Sequence, residues 1–95
     1  MVNEVYILYS KKLERFYIGQ TSNFEKRMAF HKRSLGNKFT GKANDWILFL
    51  RIGCDSRKQA FSLERHIKRM KSKQYIVNLS KYPDIIDRLK RRYSE

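Results

Sequence analysis

Two short runs of β-branched and aromatic residues, Glu4-Val5-Tyr6-Ile7-Leu8-Tyr9-Ser10 and Arg15-Phe16-Tyr17-Ile18-Gly19, flank the polar stretch Lys11-Lys12-Leu13-Glu14. Each run is too short for an ordinary helix, and its composition favours extended backbone. Together they predict a hairpin whose first strand is buried on both faces and whose second strand ends at Gly19. Whatever follows must therefore pack on a small antiparallel sheet.

Ser22 followed three residues later by Glu25 has the pattern of a capping box, and Phe24, Met28 and Leu35 recur at helical spacing, predicting a first helix over roughly 23–35. Gly36 stops it. A loop bearing Asn37, Lys38, Thr40, Gly41, Lys42 and Asn44 leads to a third strand, Trp46-Ile47-Leu48-Phe49-Leu50-Arg51-Ile52. Ser56 and Gln59 repeat the capping pattern, and Ala60, Leu63, Ile67 and Met70 form an apolar stripe on a second helix running to about Lys71. A shorter helical segment is expected around Tyr75 to Leu79. Pro83 in a first turn, with Asp84 and Asp87 early and Arg88, Lys90, Arg91 and Arg92 late, predicts a last helix to about Tyr93. The resulting order, β-β-α-β-α-α, belongs to the α+β class, a small three-stranded antiparallel sheet flanked by helices. At 95 residues the chain is expected to form one domain, 1–95.

Lysine and arginine number 22 against nine acidic residues, a formal net charge of +13. Such an excess calls for a polyanionic partner: nucleic acid first, an anionic membrane surface second, a ribonucleoprotein scaffold third. Cys54 is the only cysteine, which excludes an intramolecular disulfide and a cysteine-rich zinc site. No apolar run approaches the ~20 residues of a membrane span, and the first residues lack a signal-peptide pattern. A cytosolic protein with no membrane partner is expected.

The acidic residues can be accounted for one by one. Glu4, Glu14, Asp45 and Glu95 fall at strand ends, a turn or the terminus, and Glu25, Asp55, Asp84 and Asp87 fall at helix starts, where carboxylates suit the dipole. Glu64 remains, in mid-helix at the border of the apolar stripe. It can be an ordinary i, i+4 partner of Lys68, contributing a few tenths of a kcal/mol. It can equally be an oxygen ligand for a hard divalent cation such as magnesium or manganese. Arg27 and His31 share one face of the first helix, either as part of a solvated basic face or as a phosphate clamp with a neighbouring proton carrier. Tyr6, Tyr9 and Tyr17 can be core residues with tethered hydroxyls. A phenol, with a solution pKa near ~10, becomes a useful base only if cations lower that value.

Taken together, Val5-Tyr6-Ile7, then Tyr17-Ile18-Gly19, then Gly19-Gln20-Thr21-Ser22 with Arg27 and His31, and finally Glu64, resemble the motif series of the GIY-YIG nucleases. The likeness covers about residues 4 to 79 and is nearest to the stand-alone, single-domain members. It extends more distantly to the incision domain of bacterial nucleotide excision repair and to homing endonucleases. Two positions depart from the pattern: Val5 stands where the first motif has glycine, and Gln20 where some members have lysine.

The resemblance implies a metal-dependent endonuclease acting on nucleic acid, DNA before RNA, with one Mg2+ or Mn2+. It implies catalytic roles for Tyr6, Tyr17, Arg27, His31 and Glu64, with Glu64 holding the metal. Gln20, Lys26, Lys32, Lys38, Lys42 and Asn78 are the expected nucleic-acid contacts, Asn78 by a loose match after the glutamate helix. The alternative is a non-catalytic binding domain that uses the same basic surface, its tyrosines stacking on bases or filling the core.

Overall fold

The computed structural model describes residues 3–33 and 45–94, with the side chains of 30–33 outside that description. The elements run β1 (Asn3–Ser10), β2 (Arg15–Thr21), α1 (Phe24–Arg33), β3 (Ile47–Cys54), α2 (Arg57–Met70), α3 (Lys73–Lys81) and α4 (Pro83–Arg92). The strands form one antiparallel sheet in the order β2-β1-β3, with helices packed on it. This is the α+β arrangement read from the sequence, with one more helix than the expected order, because the segment around Tyr75 makes a full α3.

β1 is the central strand, which is why nearly every residue from Glu4 to Ser10 is buried. The hairpin loop Lys11–Glu14 is fixed from the far side of the chain. Asp45 accepts hydrogen bonds from the Ser10 hydroxyl at 2.6 Å and the Lys12 N–H at 2.8 Å, so the entry to β3 clamps the turn between β1 and β2. These bonds hold the Asp45 carboxyl below its usual range, the Ser10 bond most of all.

Alternation along β1 sends Val5 and Ile7 to one face and Glu4, Tyr6 and Leu8 to the other. The first pair joins Ile52 from β3, Ala60, Leu63 and Ile67 from α2, Ile76 and Leu79 from α3, and Leu89 from α4 in the main core. Burying each of the larger aliphatic chains contributes roughly 1.5–3 kcal/mol, so this cluster dominates the stability of the sheet-helix layer. Met70, assigned by its spacing to the same stripe, is instead exposed. α2 ends there, and Lys71 in the left-handed conformation turns the chain away.

Several boundaries move for local reasons. β2 continues past Gly19 to Thr21 because Gln20 and Thr21 still pair with Val5 and Glu4. The cap of α1 is Asn23 rather than Ser22: its Oδ1 accepts from the Lys26 N–H at 3.1 Å, while its own N–H donates to Thr21 Oγ1 at 3.0 Å. Ser56 does cap α2, accepting from the Gln59 N–H at 3.0 Å. Gln59 is fully buried, its carbonyl accepting from the Asp55 N–H at 2.7 Å and its amide donating to the Lys90 carbonyl of α4 at 2.9 Å. A second tie joins the helices, since His66 on α2 lies between the hydroxyls of Tyr93 (3.0 Å from Nδ1) and Tyr75 (3.1 Å from Nε2). Among the described residues, no helix is long and apolar enough to cross a membrane.

Candidate active site

The face of the sheet opposite the main core carries Tyr6 on β1, Tyr17 and Gly19 on β2, and Arg51 on β3, with Tyr6 in register between Gly19 and Arg51. Tyr6 is 1% exposed, whereas Tyr17 is half-buried. Their rings stack with centroids 6.3 Å apart and planes inclined by 27°, and the Tyr6 hydroxyl is hydrogen-bonded to Tyr17. Phe24, the first residue of α1, meets Tyr6 edge-on at 6.2 Å, and Trp46 meets Tyr17 edge-on at 6.5 Å. Aromatic contacts of this geometry hold ring orientation as well as burying area.

Gly19 is a spatial requirement of this arrangement. A Cβ placed there would lie 2.5 Å from Tyr6 Cζ, so the ring crosses β2 where β2 has no side chain. That crossing carries the hydroxyl over β2, the strand that forms one edge of the sheet.

Burial and three side chains, from β2, α1 and α2, act on the Tyr6 phenol. Burial raises its pKa well above the ordinary value, Tyr17 and Glu64 add to that effect, and Arg27 opposes it. The sequence reading holds that neighbouring cations would ease such a phenol toward phenolate. At Tyr6 desolvation prevails over Arg27, and the group is a neutral donor at physiological pH.

Arg27 is exposed on α1, its N–H bonded to the Asn23 carbonyl at 3.1 Å. Glu64 is half-buried on α2 with Oε2 3.1 Å from Lys68 Nζ, so the ordinary i, i+4 pair is present. Its field also reaches Tyr6. The ion pair with Lys68 and an electrostatic influence on Tyr6 coexist.

The other expected residues divide. His31 and Lys32 belong to the last turns of α1, but their side chains lie outside the described residues, as do Lys38 and Lys42 entirely. Lys26 is exposed on α1. Gln20 lines a hollow beside α2 with Arg57, Lys58 and Phe61. Asn78 accepts a hydrogen bond from Gln74 at 2.9 Å, and no described contact joins it to the tyrosine pair.

One participant on this face escapes the sequence reading. Arg51 binds the Glu4 carboxylate through two nitrogens, at 2.5 and 3.1 Å, and its guanidinium lies 3.8 Å from the centroid of Phe24. It also approaches Glu25 at 3.7 Å. Glu4 is therefore a buried partner rather than an idle strand end. A single basic residue inside the apolar run 46–52 was the available signal, but its face depends on a β-bulge opposite Ile7/Leu8, where Phe49 has no partner.

Could the site take a divalent cation? Among the described residues no group of three or more histidine, cysteine, aspartate or glutamate side chains could hold one. Glu64 supplies a single hard carboxylate. Magnesium is commonly held by one or two carboxylates, with water and substrate phosphate completing the shell. The donor chemistry thus fits a cation shared with substrate and does not fit a closed protein cage.

A family model described as the GIY-YIG catalytic domain matches residues 3–76, from the start of β1 into α3. No curated protein and no solved structure matches the chain.

Proposed function

The chain belongs to the GIY-YIG nuclease family, and we propose that it is a metal-dependent endonuclease hydrolysing phosphodiester bonds in nucleic acid, DNA in preference to RNA. The observation that carries this reading is that one phenol, Tyr6, is hydrogen-bonded to Tyr17 while lying within the fields of Arg27 and Glu64. Side chains from β2, α1 and α2 thereby act on one phenol of β1, the coupling that a phosphate-binding site built from these elements requires.

Hydrolysis needs an aligned water, charge stabilisation on the nonbridging oxygens and help for the leaving alkoxide. Tyr6, buried and neutral, orients Tyr17 through their hydrogen bond. Tyr17, the less buried phenol, meets the attacking water and aligns it toward phosphorus. Arg27 presents its planar donors to the nonbridging oxygens, where negative charge grows during attack. His31 assists by hydrogen bonding or proton relay. Glu64 would hold the cation, Mg2+ or Mn2+, which when bound supplies charge stabilisation for the departing oxygen.

One observation favours a second reading. Lys68 already engages a Glu64 oxygen, as in a domain that binds nucleic acid through its positive charge without cutting it. Incubating the purified chain with plasmid, flapped and branched DNA separates the two. Nicking that requires magnesium or manganese, and is lost in Glu64→Ala with binding retained, is expected. A salt-sensitive complex with no product at any metal concentration would favour the binding domain.

A further inference from the structure

Phe61 lies off the apolar stripe of α2. Ala60, Leu63 and Ile67 enter the core, whereas Phe61 is 46% exposed. It lines a shallow hollow of about 550 Å³ with Gln20, Arg57 and Lys58. Arg65, one turn on, places its guanidinium 5.6 Å from the Phe61 ring centroid, the outer part of cation–π range. A single exposed aromatic is unremarkable on any surface. Here it stands between cations on a chain of net charge +13, and the hollow is within the ~300–1,000 Å³ range of sites that accept small ligands.

Its place relative to the candidate active site matters as much as its composition. Phe61 and Glu64 are three residues apart on one helix, about 4.5 Å along its axis at ~1.5 Å per residue. Gln20, at the other side of the hollow, follows Gly19 on the edge strand β2 and, paired with Val5, lies on the helix-bearing face of the sheet rather than on the Tyr6 face. Resting on the nuclease reading above, we infer that this hollow takes the unpaired base next to the scissile phosphate: the base stacks on Phe61 while Arg57, Lys58 and Arg65 take the phosphates on either side. An aromatic face among cations suits a strand whose bases are free to stack, and a continuous duplex withholds those bases. A second copy of the chain is a poor occupant, because each would bring the same positive charge. The chain would thus prefer single-stranded or flapped substrates to intact duplex.

The test is binding in EDTA, so that it does not depend on cutting. The probes are a short oligothymidylate with one central 2-aminopurine, its oligouridylate counterpart, and a blunt hairpin duplex, each titrated with wild type, Phe61→Ala and Phe61→Trp. Quenching of the 2-aminopurine by wild type and Phe61→Trp is expected. Phe61→Ala should bind the single strands roughly 5- to 150-fold more weakly, the span of one lost base–aromatic stack, with duplex affinity nearly unchanged. The thymidylate and uridylate arms report whether the sugar matters. Equal affinity of Phe61→Ala and wild type for the single strands would overturn the inference, as would an equal loss on duplex. A chain that quenches the probe yet never nicks DNA supports the stacking platform and removes only the hydrolytic reading.

Discussion

The Tyr6 ring occupies the volume that a side chain at Gly19 would need, so these paired residues on β1 and β2 can be changed only together. Gly19→Ala is expected to displace the ring, as small-to-large changes in packed sites do, lowering stability by about 1–3 kcal/mol. Cleavage should fall as well, since the Tyr6–Tyr17 hydrogen bond would move. Urea denaturation with an unchanged midpoint would show that the ring has room to yield.

Removing the two hydroxyls separately should have unequal effects. Tyr17→Phe removes the phenol assigned to the water and should slow cleavage by about 10²-fold, the lower end of what positioned proton-transfer groups contribute. Tyr6→Phe removes an orienting hydrogen bond, with a stability loss of about 1 kcal/mol and a smaller loss of rate. Single-turnover rates that fall equally, or more for Tyr6→Phe, would reverse the assignment.

Arg27 is exposed, so its substitution should leave the fold intact while changing the chemistry. Arg27→Lys keeps the charge and loses the planar donors, and Arg27→Ala loses both. We expect kcat to fall by about 10²-fold for alanine and by less for lysine, with substrate affinity changing little. A variant whose defect lay wholly in KM would place Arg27 in binding alone.

The His66 cluster predicts a pH dependence of stability. Burial lowers the His66 pKa, and Arg92 and Arg69 push it the same way. The native state therefore binds fewer protons than the unfolded chain, whose histidine titrates near ~6.5. The stability contributed is present above that value and is lost as pH falls below it toward the native value. A protonated ring also donates from both nitrogens and can no longer accept from Tyr75 or Tyr93. Thermal melts of wild type and His66→Gln between about pH 5 and 7.5 should converge toward acid; a constant gap would remove histidine titration as the cause.

Much of this arrangement was readable before folding, for identifiable reasons. The hairpin declared itself because β-branched and aromatic residues fill both runs around a polar turn. Glu64 stood out as a candidate because every other carboxylate had an expected structural place, although Glu4 proved to be the buried partner of Arg51. That pairing needs the β1–β3 register and the bulge at Phe49, neither of which is encoded locally. His66 likewise has partners 9 and 27 residues away, which helical periodicity cannot reveal. The protonation of Tyr6 depends on how completely the sheet and α1 desolvate it, and residue spacing says nothing about that.

The buried amide of Gln59 reaches past the recognisable part of the chain. The match to the family model ends at residue 76, yet Gln59 grips the Lys90 carbonyl, and Leu89 closes the same apolar cluster. The stretch that can be recognised and the stretch that must be retained for folding therefore have different ends. Shortening the chain to its matched portion would leave a polar group stranded in the interior and strip one wall from beneath the helix that carries Glu64; a 3–76 fragment that melted cooperatively would show otherwise.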